Sequence, residues 1–133
     1  MPSPISVLLN AILSATDTLT TPSPTVFSRN LNNPNLAVAT TFFADMYFQA
    51  NSGGSSVPLP GGGPSFVGYV KNNDVATNLT VSWIAVGAAA STFVMVPGGV
   101  WIYFQPTEGA GGFTSLTLTA AAGTINTEVF AAR

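Results

Sequence analysis

Only eight of the 133 side chains are charged, and any acid–base or ligand chemistry would have to be built from them. They are three basic and five acidic residues: Arg29, Lys71, Arg133, Asp17, Asp45, Asp74, Glu108 and Glu128. The chain contains no histidine and no cysteine. It therefore lacks the imidazole that shuttles protons near neutral pH and the thiolate that attacks carbonyls or binds zinc. These counts exclude most enzyme mechanisms.

The five carboxylates offer little for catalysis, because no two of them lie within ten residues of each other. A pair can still meet in space, as the two carboxylates of a glycosidase do, but no pattern in the sequence brings one together. The chain has neither a G-x-S-x-G nucleophile motif nor a phosphate-binding P-loop. The segment Asn72-Asn73-Asp74 lacks the alternating acids of a calcium loop and is interpreted as a turn. We expect no enzyme activity, no catalytic residues, no cofactor and no metal site.

The charge balance also limits the possible partners. Three basic residues are too few to follow a phosphate backbone, so we expect no nucleic-acid binding. A net charge of −2 gives little repulsion between molecules, which favours association. Either serine, threonine and asparagine solvate the surface, or much of that surface is buried against other subunits. We favour the second explanation.

Two apolar stretches resemble membrane signals, and neither is interpreted as one. Residues 5–15 are apolar, but no lysine or arginine precedes them, as a secretory signal requires. Residues 75–107 carry no charge and are long enough to span a bilayer. Pro97-Gly98-Gly99 interrupts this stretch, and its residues alternate as strands do. We therefore expect no membrane association.

The elements that must position these residues are predicted to be strands. Threonine, valine and phenylalanine are frequent, and they favour strands. Three segments, residues 77–84, 113–120 and 125–131, alternate between apolar and polar residues, as half-buried strands do. Their predicted inward positions are Leu79, Val81, Trp83, Leu116, Leu118, Ile125, Thr127 and Val129. Residues 35–50 are predicted to form one long or bent strand. One face of it carries Val38, Phe42, Met46 and Phe48, and the other carries Phe43 and Tyr47.

Residues 93–96 and 100–105 flank Pro97-Gly98-Gly99, which has the chemistry of a type II turn and predicts a hairpin. The second strand is apolar on both faces. Its two faces are formed by Val100, Ile102 and Phe104, and by Trp101 and Tyr103. One interpretation is a central strand that is covered on both sides. The other places Trp101 and Tyr103 on the outer face in a subunit contact, where these residue types are enriched.

Aromatic residues also allow a different site. Trp83, Trp101, Tyr69 and Tyr103 could line a sugar-binding face, although Trp83 is interpreted as core because it alternates with Leu79 and Val81.

The chain is predicted to be a single all-β domain. Residues 1–34 are an N-terminal segment or arm, and residues 35–133 form an antiparallel β-sandwich or jelly roll of seven to nine strands. Residues 5–15 fit either a helix or a strand, and we favour the strand because the rest of the chain is β.

One layout runs through residues 65–133: Tyr69-Val70-Lys71-Asn72-Asn73-Asp74, then Asn78-Leu79-Thr80-Val81-Ser82-Trp83, Val96-Pro97-Gly98-Gly99-Val100-Trp101-Ile102, and the Ser/Thr-rich residues 113–118 before 127–131. It resembles small all-β structural proteins of tailed bacteriophage virions, of the head decoration or minor capsid type. The resemblance implies a β-sandwich that docks on a shell as an oligomer, and it transfers no catalytic residues. Subunits of extracellular filaments look similar.

From these observations we expect a non-enzymatic structural protein of a virus particle. Its expected partners are further copies of itself, the major capsid protein and other virion proteins, and its expected location is the virion. The alternatives are a subunit of an extracellular filament or adhesin, and a carbohydrate-binding β-sandwich module.

Overall fold

The computed structural model describes residues 5–7, 12–16, 25–30, 37–39, 41–62, 64–105 and 111–133. In these residues the chain is all-β, with one short 3-10 turn at Pro60–Gly62. Two four-stranded antiparallel sheets face each other, and two two-stranded ribbons precede them. The predicted antiparallel β-sandwich is confirmed.

The first four strands form the ribbons. Strand β1 (Ile5–Val7) pairs with β4 (Ala37–Ala39), and β2 (Ile12–Thr16) pairs with β3 (Thr25–Asn30). The described parts of residues 5–15 are therefore strands rather than a helix. The predicted boundary after residue 34 lies outside the described residues.

The eight strands that follow build the sandwich. They are β5 (Phe42–Asn51), β6 (Ser55–Ser56), β7 (Val67–Asn72), β8 (Leu79–Ala85), β9 (Ala90–Met95), β10 (Val100–Phe104), β11 (Phe113–Ala120) and β12 (Thr124–Ala132). Sheet I has the order β10-β7-β12-β5, and sheet II has the order β6-β11-β8-β9. The number of sandwich strands falls within the predicted seven to nine.

The pairing of these strands is nested around one hairpin. Strand β8 pairs with β9, β7 with β10, β6 with β11, and β5 with β12. This is the pattern of one long hairpin whose paired arms wrap across two sheets, which is a jelly roll. Both members of each pair thereby lie in the same sheet, although the members of the outer pairs are far apart in sequence.

The predicted hairpin between residues 93–96 and 100–105 is wrong, although its turn forms. The Gly99 amide donates to the Val96 carbonyl oxygen at 2.9 Å, and Gly98 has a φ of 78°, as a type II turn requires. The flanking strands β9 and β10 belong to different sheets. Turn chemistry sets only the local reversal, and the Gly98 amide donates to the carbonyl of Asn72, which ties the turn to sheet I.

Residues 35–50, predicted to form one long or bent strand, contain two strands that belong to different sheets. Residues 37–39 belong to a ribbon, whereas β5 starts at Phe42 in sheet I. The register of β5 against β12 shifts between Thr127 and Val129, so an extra residue enters β5. Because a bulge reverses the alternation beyond it, Phe43 and Phe48 both pack against the core, and Phe42 is exposed.

The core fills the space between the two sheets and confirms the alternation of three predicted strands. Its largest fully buried side chains are Phe113, Leu79, Met95, Leu116, Leu118, Val70 and Val81. Ile125, Thr127 and Val129 are buried as well, and Trp83 packs against this core from a partly buried position. The inner faces of both sheets are thus filled by their own chain except at the β9 edge, where Phe93 is exposed.

Candidate interaction surface

Strand β10 carries the two predicted contact residues, and both side chains point into the sandwich. Trp101 is only 8% exposed, and its ring centroid lies 5.4 Å from that of Trp83 and 5.7 Å from that of Phe113. Tyr103 packs against Phe113 at 5.2 Å, and its hydroxyl accepts the Gly112 amide at 3.3 Å. The assignment of Trp101 and Tyr103 to the outer face is therefore wrong.

The inward orientation of Trp101 and Tyr103 has a physical cause in the neighbouring strand, β7. Residue 68 of β7 is glycine and lies opposite Tyr103 in the register. A Cβ atom at this position would lie 2.7 Å from Cζ3 of Trp101 and 2.9 Å from Cζ of Phe113. The missing side chain leaves room for the large rings on the inner face. A glycine inside a strand is the one sequence signal that could have predicted this close approach.

With the rings inside, the other side of β10 is turned to solvent. Val100 is exposed and Ile102 is 50% exposed. The register continues this side across sheet I, and we define the apolar face as Val100, Ile102, Phe104, Tyr69, Phe130, Phe42 and Ala44. Val67 and Ala132 lie between these residues in the register and are buried with Phe66 in a small second cluster, against which Phe104 and Phe130 pack. Phe42 stacks on Phe130 at 6.2 Å. The outer side of sheet I is therefore as apolar as a buried layer.

A polar cluster borders the apolar face. The Tyr69 hydroxyl donates to Oε2 of Glu128 at 2.9 Å, and Nδ2 of Asn73 donates to Oε1 at 3.2 Å. Burial, then the hydrogen bond and the charge of Glu128, raise the pKa of Tyr69 to about 12. The hydrogen bonds from Tyr69 and Asn73, and then the charge of Lys71, lower the pKa of Glu128. The cluster holds a fixed carboxylate, which suits orientation of a partner rather than proton transfer.

The outer side of sheet II has a different chemistry. Ser56, Thr117, Ser82 and Thr92 are in register across all four strands and form one row of hydroxyl groups. Thr119 and Thr80 form a second pair beside them. We call these six residues the hydroxyl face. None of the four strands contains a charged residue.

The remaining polar side chains near this region have structural roles. The buried Asn72 side chain donates to the carbonyls of Thr77 and Met95, at 2.9 and 3.4 Å, and accepts the Asp74 amide at 3.0 Å. The Asp74 carboxylate accepts the amides of Ala76 and Thr77, and these bonds lower its pKa. The predicted turn at Asn72-Asn73-Asp74 thus caps the end of β7 with its own side chains.

The part of the chain that the structure describes offers no further site. It encloses no pocket, and no three acidic side chains gather there as metal ligands. No described helix is long and apolar enough to cross a bilayer. The four aromatic residues that could line a sugar-binding face do not share one, because Trp83, Trp101 and Tyr103 cluster inside and Tyr69 lies outside.

Comparison with protein-family models, curated proteins and solved structures finds no significant match to this chain. The apolar face and its polar border are therefore the features from which a function can be argued.

Proposed function

We propose that this chain is a non-enzymatic structural protein of a virus particle that assembles with copies of itself and with other virion proteins. The observation that carries the proposal is the apolar face on the outer side of sheet I. Val100, Ile102 and Phe42 are exposed there although the chain has its own filled core. Large apolar side chains left exposed on one side of a sheet, beyond what the core needs, favour an interaction site.

The polar cluster gives this surface the composition of a protein interface. Interfaces combine an apolar, aromatic centre with a polar rim. The apolar face supplies the centre, and the hydrogen-bonded Tyr69–Glu128 pair, with Lys71 opposite Glu128 in the register, supplies the rim. A subunit held by such a surface needs few charges elsewhere, which agrees with three basic and five acidic residues in the whole chain.

The fold supports this class of function without deciding it. Jelly rolls serve in viral capsids, and also in lectins and cupins. A lectin-like role needs aromatic rings on one open surface, and here three of the four candidate rings cluster inside the sandwich. A subunit of an extracellular filament remains the second candidate, because an apolar outer face also suits an open polymer.

The test compares Ile102→Ser with Ile84→Ser. Both residues are exposed isoleucines, but Ile102 lies on the apolar face, and Ile84 lies on sheet II beside the hydroxyl face and is 36% exposed. Removing an anchor from an interface costs about 2 kcal/mol or more. We expect the wild type and Ile84→Ser to form closed particles by electron microscopy, and Ile102→Ser to break down to small folded units.

Three outcomes would contradict the proposal. A wild type that stays monomeric at high concentration removes the role in assembly. Equal assembly of both variants removes the role of the apolar face. Open filaments formed by the purified wild type favour the filament subunit. Circular dichroism of each variant separates dissociation from unfolding.

A further inference from the structure

The four edge strands of the two sheets differ in how well they are protected against pairing with another chain. Strand β6 has only two residues. Strand β5 contains a register shift, and there the Asp45 carboxylate accepts the Tyr47 amide at 2.8 Å. Strand β10 has five residues, the fewest of the edge strands after β6. Short strands, bulges, charges and prolines are the devices that block edge-to-edge pairing.

Strand β9 has none of these devices. Its six residues include no charge and no proline, and they pair with β8 without a register shift. Five of the six are exposed. A strand of this kind presents a row of unpaired backbone amide and carbonyl groups to any other extended chain.

The side chains of β9 indicate that sheet II extends beyond sheet I at this edge. Phe93 lies opposite Val81 in the register and so shares its face, the inner face of the sandwich. Val81 is fully buried, yet Phe93 is 47% exposed. An inward aromatic side chain with this much open surface has no layer covering it within the described part of the chain. Pairing at the edge would cover it.

We propose that β9 pairs antiparallel with β9 of a second copy of this chain and joins two copies of sheet II into one eight-stranded sheet. A strand that meets its own copy must not place like charges opposite each other, and β9 has none. In a two-fold arrangement centred on Phe93, each ring lies opposite the ring of the other copy, so both cover each other's open surface. The same residues meet on both sides, as a two-fold contact requires.

This inference deepens the assembly that the proposed function requires, and the two contacts are separable because they lie on different sheets. The apolar face belongs to sheet I, and β9 belongs to sheet II. Loss of the apolar-face contact should therefore leave pairs of subunits joined through β9, rather than monomers.

The first experiment measures the mass of the folded species by analytical ultracentrifugation. We expect Ile102→Ser to be a dimer, and the double variant Ile102→Ser/Val94→Lys to be a monomer, because a lysine on an edge strand blocks pairing. The matched control is Ile102→Ser/Thr80→Lys. Thr80 lies opposite Val94 on the same outer face but in a central strand, so this variant should remain a dimer.

The possible results separate the two proposals. A monomeric Ile102→Ser variant would overturn the pairing through β9 and leave the role of the apolar face intact. Dimers in both double variants would overturn it as well. If Ile102→Ser still forms large particles, the proposed function fails at the apolar face, and Val94→Lys alone then decides whether β9 is a contact.

The second experiment measures the protection of the backbone amides by hydrogen exchange. In the Ile102→Ser dimer, the outward amides of β9 should exchange at least about tenfold more slowly than in Ile102→Ser/Val94→Lys, because pairing closes an open edge. The amides of the central strand β8 provide the control and should be protected in both. Equal, fast exchange along the β9 edge in both proteins would contradict the pairing.

Discussion

The two sheets of the sandwich bury similar inner faces against each other, but their outer faces differ. Sheet I presents valine, isoleucine and phenylalanine around one hydrogen-bonded carboxylate, whereas sheet II presents rows of serine and threonine. A soluble monomer would need both faces to be polar. Among the described residues, the exposed large apolar side chains in strands are Phe42, Met46, Tyr47, Val100 and Ile102 in sheet I, and Ile84, Phe93 and Val94 in sheet II. The larger share therefore lies on sheet I.

The largest expected effect distinguishes the core side of strand β10 from its outer side. Trp101→Ala should lower the free energy of unfolding by about 3–5 kcal/mol, because it empties a filled core position. Ile102→Ala should lower it by about 1 kcal/mol or less, because that side chain is half exposed. Urea unfolding of both variants measures the difference. The reverse order would place Trp101 on the outer face.

A smaller effect is expected where sheet I approaches the aromatic cluster most closely. Gly68→Ala should destabilise the subunit by about 1–3 kcal/mol, because the new methyl group would overlap the rings of Trp101 and Phe113. Gly53→Ala is the control, since its Cβ would meet only Asn51 Oδ1, at 3.4 Å. Equal thermal unfolding temperatures of both variants would show that the inner face of sheet I has room for a methyl group at residue 68.

A further variant makes the outer side of sheet II more apolar, like the outer side of sheet I. The double variant Thr80→Val/Thr117→Val keeps the side-chain shapes but removes two hydroxyl groups from the hydroxyl face. We expect the free energy of unfolding to change by about 0.5 kcal/mol or less, and light scattering to detect new association through sheet II, because a larger apolar patch is exposed. Unchanged scattering would show that the hydroxyl groups do not keep this face free.

The dependence of stability on pH is expected to come from sheet I and not from sheet II. Its strands contain no ionisable side chain. In sheet I, the pKa of Tyr69 is raised from 10.0 to about 12. Its contribution to the free energy of unfolding is therefore complete below pH 10 and is lost as the pH rises towards 12. The pKa of Glu128 is lowered from its ordinary value of 4.5. The contribution of Glu128 to the free energy of unfolding is therefore lost as the pH falls below 4.5.

Thermal unfolding across this pH range tests the assignment. Tyr69→Phe should flatten the decline in stability above pH 10. Glu128→Gln should flatten only part of the decline in acid, because the pKa of Asp74 is lowered as well. An alkaline decline that is identical in the wild type and in Tyr69→Phe would contradict the role of the hydrogen-bonded pair.

The alternation of apolar and polar residues within a strand could be predicted from the sequence, but the pairing of distant strands could not. Leu79, Val81, Leu116 and Leu118 face inward as predicted, because one polar and one apolar face define the phase of a strand. In β10 both faces are apolar, so hydrophobicity could not assign the phase, and the glycine at position 68 of another strand decided it. The turn at residues 97–99 was predicted correctly, but its chemistry does not determine which sheet each flanking strand joins.

The most direct test of the account is the size of the wild-type protein at increasing concentration, measured by sedimentation and by electron microscopy of the same sample. Self-association through the apolar face predicts closed particles with a folded β spectrum, and their replacement by small units in Ile102→Ser. A wild type that sediments as a folded monomer at every concentration would contradict assembly through this face.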